Sequence, residues 1–328
     1  MNKKYSELAE LFRSEKTDEE ILDFLLNYHK NDIADMMAGM TEEERKRLYH
    51  LLGAQKVAEI FKYIEEPRKY IRELSVESAA RVISEMDSDD AVDLLEDLDP
   101  EEKEQIVRML DEDAKKDVKM LLSYDEEEIG SCMTTNYICI PENLTIRQAM
   151  SELVKQAGEN DNIMTIYVVD EKGVFAGAID LKDLIRAREN AHLEDLVLKS
   201  YPYVTDHEKI DDCMDRILDY AEDSIPVLSE DKKILGVITS EDLIEMVDNE
   251  MGEDYAKLAG LTAEEDLKEP TLQSMKKRLP WLIILLFLGM GVSSVVGLFE
   301  NVVAVLPVVI CFQSLVLDMA GNVGTQSL

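Results

Sequence analysis

Apolar positions change their spacing three times along this chain, and each change marks a different kind of structure. Up to about residue 128 they recur at helical intervals between charged positions, which predicts helices only. Ser75, Asp87, Asp99 and Asp111 stand twelve residues apart, each able to cap a helix N-terminus, and Met86, Leu98, Leu110 and Leu122 close the units they open. Asp99-Pro100-Glu101-Glu102 is the clearest start, with proline at the first helical position. Helices this short gain stability only by stacking on neighbours, so the expected form is a small all-α superhelix.

Near Gly130 the spacing shortens to that of strands. Strand-like runs are Tyr137 to Ile140, Thr165 to Val169, Phe175 to Ile179, Tyr203 to Thr205, Ile225 to Leu228 and Ile234 to Thr239, with helical runs between them. This part repeats itself. Tyr167-Val168-Val169 recurs as Pro226-Val227-Leu228 at an offset of 59, and Gly177 to Leu184 recurs as Gly236 to Leu243 at the same offset. Upstream the offset is 64, pairing Ile140 with Val204 and Met150 with Met214. Two units of about 60 residues predict one pseudo-symmetric α/β domain.

After a helical, acid-rich stretch from Glu241 to Leu272, the apolar positions become continuous. Leu279 to Phe299 holds 21 residues without a charge, enough for a helix across a bilayer core of about 30 Å. A second apolar stretch covers Val302 to Leu328. Gly289, Ser293 and Gly297 on the first, and Ala320 and Gly324 on the second, recur every four positions and would let helices approach closely. The expected organisation is a helical domain over 1–128, an α/β pair over 129–195 and 196–248, a linking helix over 249–275, and an incomplete membrane segment over 276–328, with helices near 279–299 and 302–328.

Charge sharpens this picture. Acids outnumber bases 70 to 35, giving a net charge of −35, and all but two of the acids precede Thr271. Nucleic acid as a partner is excluded, because phosphate needs a basic face; cations are the natural counterpart. Lys276-Lys277-Arg278 sits beside the first apolar run and predicts that residues 1–275 are cytosolic. Met1 to Glu20 has no apolar core segment, so no signal peptide is expected. Cys132, Cys139, Cys213 and Cys311 are scattered without CxxC spacing, and His29, His50, His192 and His207 are isolated. No nucleophile–base pattern or glycine-rich phosphate loop is present, so the chain is not read as an enzyme.

The repeated Gly-x-Ile-x-x-x-Asp-Leu units resemble tandem cystathionine-β-synthase-type (CBS) domains. The order of parts, with Ser88-Asp89-Asp90-Ala91-Val92-Asp93-Leu94-Leu95 and Ala320-Gly321-Asn322-Val323-Gly324-Thr325-Gln326-Ser327, resembles the MgtE family of magnesium channels and transporters. That resemblance implies a homodimer in the cell membrane, multi-pass when complete. It implies five membrane helices, so this chain is expected to end within the second and not to conduct ions by itself.

The resemblance also implies that regulatory Mg²⁺ is held by carboxylates where the domains meet. The matching positions are Asp89, Asp90, Asp93, Asp211, Asp242, Glu245, Glu250, Glu253 and Asp254. Facing carboxylates repel, and a divalent cation between them reverses the sign. Thr239 and Asp242 match the Thr-x-x-Asp that often contacts ribose in nucleotide-binding CBS domains, which makes ATP a candidate ligand. In the second apolar stretch Asp318, Asn322 and Gln326 fall at i, i+4 and i+8, one polar stripe suited to lining a Mg²⁺ path. A membrane-anchored nucleotide sensor and a transporter of another divalent cation such as Co²⁺ are the alternatives.

Overall fold

The structure is a computed structural model that describes residues 17–64, 66–125, 127–158, 160–188, 191–247 and 271–298, and a few positions between 312 and 320. It falls into two units, Met1–Asp242 and Leu243–Leu328.

Among the described residues the first unit has eight helices ahead of its sheets: α1 Asp18–Leu25, α2 Lys30–Met37, α3 Glu42–Phe61, α4 Pro67–Ile71, α5 Val76–Ser84, α6 Ser88–Glu96, α7 Pro100–Met109 and α8 Glu112–Leu121. Capping fixes where several of them start. Thr17 and Thr41 form reciprocal caps with Glu20 and Glu44, and Ser75 and Asp111 accept from the amides of Ser78 and Ala114. The twelve-residue period is realised, but the helices pack on their next-but-one neighbours: α3 on α5, α5 on α7 and α6 on α8. This alternation puts Ile83, Leu94, Leu95 and Leu121 in a shared core with almost no exposure.

Helix α3 breaks at Gly53, whose φ of 78° is open to glycine at little cost. Among the described residues of this domain the buried arginine is Arg45. It donates from Nε to Glu73 at 2.8 and 3.2 Å and from Nη1 to the Met37 carbonyl at 3.3 Å. Tyr49, held above its ordinary phenol range by burial and by the Glu73 charge, closes the pair from one side.

The second part holds two matching three-stranded sheets. The first is β1 Ile138–Pro141, β2 Thr165–Val169 and β3 Phe175–Asp180; the second is β4 Val204–Thr205, β5 Ser224–Leu228 and β6 Ile234–Thr239. In each, the outer pair is parallel and the hairpin antiparallel. Helices α9 Ile146–Gln156 and α10 Leu181–Arg186 cover the first sheet, and α11 Ile210–Tyr220 belongs to the second. All six expected strands are present, two of them with the expected ends.

The two halves clasp each other. Thr134, ahead of the first sheet, bridges Val237 on β6; Leu198, ahead of the second, bridges Ala178 on β3. These bridges are related by the offsets of 64 and 59 seen in the sequence. Each needs a glycine beside it: a Cβ on Gly236 would lie 2.7 Å from the Thr134 carbonyl, and one on Gly177 2.6 Å from that of Leu198. Between the halves Tyr167 is fully buried and shares a 2.6 Å hydrogen bond with the Ser224 hydroxyl, while Tyr201 donates to the Ser224 carbonyl at 2.8 Å.

The second unit contains the long helix α12, Thr271–Leu298, which holds the uncharged sequence from Leu279 onward. Its described side chains, among them Ile284, Leu286, Phe287 and Leu298, are exposed. Among the described residues no helix is long and apolar enough to cross a membrane. The expected membrane segment therefore has one continuous helix where its first span was placed. Most of its second span, and of the linking helix, lies outside the described residues.

Candidate functional site

The start of α6 is where the helical domain meets the α/β pair. Asp87 stands at the N-cap position without a side-chain capping bond, and Ser88, Asp89 and Asp90 fill the first turn. The segment entering the first sheet docks on it. The Thr135 amide donates to Ser88 Oγ at 2.9 Å, the Thr135 hydroxyl donates to Asp117 at 2.8 Å, and Asn136 Nδ2 donates to Asp87 Oδ1 at 2.8 Å. A helix N-terminus tolerates negative charge, since its free amides and dipole favour it. That lets the sequence gather carboxylates there.

Glu241 and Asp242 arrive from the first turn of a helix that starts at Ser240. Lys62, the C-cap of α3, reaches into the group. Its ammonium lies 3.3 Å from Glu241, 3.7 Å from Asp87 and 3.9 Å from Asp90. Burial works against the Lys62 charge, but Asp90, Asp87 and Glu241 outweigh it and hold the ammonium protonated well beyond its ordinary range.

One cation does not balance five carboxylates. Burial pushes the Asp89 carboxyl well above the usual range, and the charges of Asp242, Asp90 and Asp87 push it further. Asp90 is pushed up to about 7, by burial and by Asp87, Asp93 and Asp242, against the pull of Lys62. Burial raises Asp242 too, opposed by its hydrogen bonds to Thr239 and by Lys62. Asp89 Oδ1 is shielded from solvent and has no hydrogen-bond partner.

This donor set fits a hard divalent cation. The ligands are carboxylate oxygens, one of them orphaned, and Mg²⁺ is commonly held by one or two carboxylates while keeping several waters. Among the described residues no three acidic, histidine or cysteine side chains converge into a ready cage. Any metal here would therefore have to draw the groups closer.

Other expected positions lie apart from this group. Asp93 is on α6, one turn on, and contributes to the field at Asp90. Asp211 is exposed in the first turn of α11, beside Lys209. Glu245 is exposed and belongs to the second unit. Glu250, Glu253, Asp254, Asp318, Asn322 and Gln326 lie outside the described residues.

Thr239 and Asp242, the pair expected at a nucleotide contact, are bonded to each other. The Thr239 amide donates to Asp242 Oδ2 at 2.6 Å and the Asp242 amide donates to Thr239 Oγ1 at 3.3 Å, a reciprocal helix cap. The adjoining cleft, about 270 Å³, is lined by Asp87, Asp89, Asp161, Asp223, Glu241 and Asp242, and among its described lining residues Lys62 is the lone base. Sequence reasoning missed Lys62, Asp87 as a site residue, and Glu241. Asp87 was legible as an N-cap position, but nothing in the local sequence around Lys62 shows where its ammonium goes.

The fold is thus a helical superhelix docked on a tandem α/β pair, with carboxylates crowded along the contact. Residues 28–127 match the MgtE intracellular N domain, and 127–190 and 193–249 each match the CBS domain. The magnesium transporter MgtE of Enterococcus faecalis is 38% identical over the whole of this chain, which spans 73% of that protein. MgtE of Bacillus subtilis is 31% identical over 63% of this chain and 46% of its own length. The crystal structure of the soluble part of a magnesium transporter superposes with a TM-score of 0.72 at 30% identity, covering 75% of this chain and 98% of that one. The cytosolic domain of the Mg²⁺ channel MgtE, solved in complex with ATP, gives 0.66 at 26%, covering 74% and 99%. The chain belongs to the MgtE family of magnesium transporters.

Proposed function

We propose that this chain is the cation sensor and the first membrane portion of a homodimeric Mg²⁺ channel or transporter. The observation that carries the reading is the start of α6. There Asp89 and Asp90, with Asp242 across the domain contact, are held in a partly buried group whose charge is poorly compensated. In the absence of a divalent cation this repulsion loosens the contact between the helical domain and the CBS pair. Mg²⁺ between the carboxylates reverses the sign and tightens it. The helix that starts at Ser240 carries Asp242, so it is the element through which the tightened contact would reach the membrane part.

On this reading Leu279 to Phe299 spans the membrane, residues 1–275 lie in the cytosol, and Mg²⁺ is also the cargo. The name of the E. faecalis relative and the Mg²⁺ channel domain support Mg²⁺ over Co²⁺. Glu245, Glu250, Glu253 and Asp254 are proposed as further regulatory ligands, and Asp318, Asn322 and Gln326 as pore-lining groups. An ATP site, with Thr239 and Asp242 as its candidate contacts, is supported by the relative solved with ATP.

The test is limited proteolysis of the chain while Mg²⁺ is titrated into the millimolar range at ionic strength matched with K⁺. Protection specific to Mg²⁺, lost in Asp89→Asn and Asp242→Asn, is expected. Equal protection by K⁺ would make the acids a solvated surface and sink the reading.

A further inference from the structure

We propose that Lys62 is a built-in competitor of the divalent cation, a tethered ammonium that occupies the α6 carboxylates and sets the concentration at which Mg²⁺ displaces it. The inference rests on the sensor reading above and deepens it.

Lys62 is placed for this by the last turn of α3. Val57, Ala58, Ile60 and Phe61 are buried and anchor that turn, so the stem of Lys62 leaves from a fixed point. Its ammonium then touches groups from two separate parts of the fold: Asp87 and Asp90 on α6, and Glu241 from the helix that follows β6. The side chain is 29% exposed, so it borders solvent and can swing away. A cleft of about 410 Å³ runs beside it, with Lys30 at its margin.

The charge count is unequal. Asp87, Asp89, Asp90, Glu241 and Asp242 face a single ammonium. An ammonium has three donors and one charge, and it leaves Asp89 Oδ1 shielded and unpartnered. That orphaned oxygen is an independent sign that something more than Lys62 completes the group. A divalent cation brings twice the charge and can take the oxygen that Lys62 leaves over.

Tethering gives the competitor its use. A free monovalent ion competes by its bulk concentration, whereas a tethered group acts at an effective concentration set by the chain, on the order of millimolar for a short flexible tether. Lys62 therefore raises the Mg²⁺ threshold by an amount fixed in the sequence. It also keeps the helical domain and the second CBS half in loose contact when Mg²⁺ is scarce.

The experiment uses the whole chain in detergent micelles. Mg²⁺ is titrated at constant ionic strength into wild type, Lys62→Met, Lys62→Gln and Lys62→Arg, and hydrogen exchange of the α6 amides is followed. Met keeps the length and packing of the stem without the charge, and Gln guards against a folding artefact of either neutral variant. The midpoint should fall about tenfold in Met and Gln, a modest share of the attraction between unit charges at this range, and stay within about twofold in Arg. In metal-free buffer the α6 amides should exchange faster in the two neutral variants than in wild type.

A wild-type transition that persists at the same or a higher midpoint in both neutral variants overturns the competition while leaving the sensor reading intact. Absence of any Mg²⁺-specific transition in wild type removes the sensor reading, and the role of Lys62 falls with it.

Discussion

Asp90→Asn should make the metal-free protein more stable, although it removes a carboxylate with a lysine 3.9 Å away. The Asp90 carboxyl is held at about 7 in the fold against an ordinary value of 3.8. A rise of about three pKa units is worth about 4 kcal/mol at 1.4 kcal/mol each, and this is a cost to the folded state once the group ionises. The side chain is 28% exposed, so solvent screening reduces the figure to about 1–2 kcal/mol.

The sign follows from the direction of the shift. Because the folded value lies above the unfolded one, the folded state binds the proton more tightly. Wild type therefore loses stability as pH rises from about 4 to about 7, and the loss is complete above that. Asparagine does not ionise, so its advantage should be full at about pH 8 and should shrink as the pH falls toward about 5. Urea unfolding followed by far-ultraviolet circular dichroism, with EDTA present, reads both values. An Asp90→Asn variant no more stable than wild type under the alkaline condition, or a gain that does not shrink on acidification, would refute the reasoning. Saturating Mg²⁺ should erase the advantage, because only the carboxylate gains from the metal.

Two further predictions concern the scaffold. Glu73→Gln leaves the Arg45 charge buried without its counter-ion and should cost about 3 kcal/mol in urea unfolding of the helical domain; a loss below about 1 kcal/mol would show that the pair is solvated. Gly177→Ala drives a Cβ to within 2.6 Å of the Leu198 carbonyl at a φ of 148°, and should destabilise the CBS pair by about 1–3 kcal/mol. An unchanged melting temperature would mean that the clasp between the halves yields freely.

The secondary structure was legible because local rules and tertiary packing agree. The ends of β2 and β6 follow from short apolar runs bounded by polar residues; the starts of α5 and α8 follow from caps at Ser75 and Asp111, and that of α7 from Pro100. The packing order was less legible. A twelve-residue period says that helices stack, but not that α5 skips α6 to meet α7, since that depends on the turn angle at each cap. At the site the sequence pointed to Asp89, Asp90 and Asp242 through resemblance. It could not separate a ribose contact at Thr239 from a helix cap, because both use the same Thr-x-x-Asp spacing. Lys62 was invisible for another reason: its partners at Asp87 and Glu241 are 25 and 179 positions away, and only the folded chain brings them to it.

The crossed bridges between the halves bear on how this domain can be taken apart. Thr134 completes the edge of the second sheet and Leu198 completes the edge of the first. Cut between residues 195 and 196, each half would lose the bridge that covers its edge strand and show more of that strand's amides and carbonyls, the template on which foreign strands add and aggregates grow. The duplicated units are thus no longer two separable modules but a single object with two handles. One handle, Thr134 to Asn136, is also the stretch seated on α6. On the proposed reading, a shift at the carboxylates would pull on the second sheet through the first half's leading segment, with no need for a separate lever.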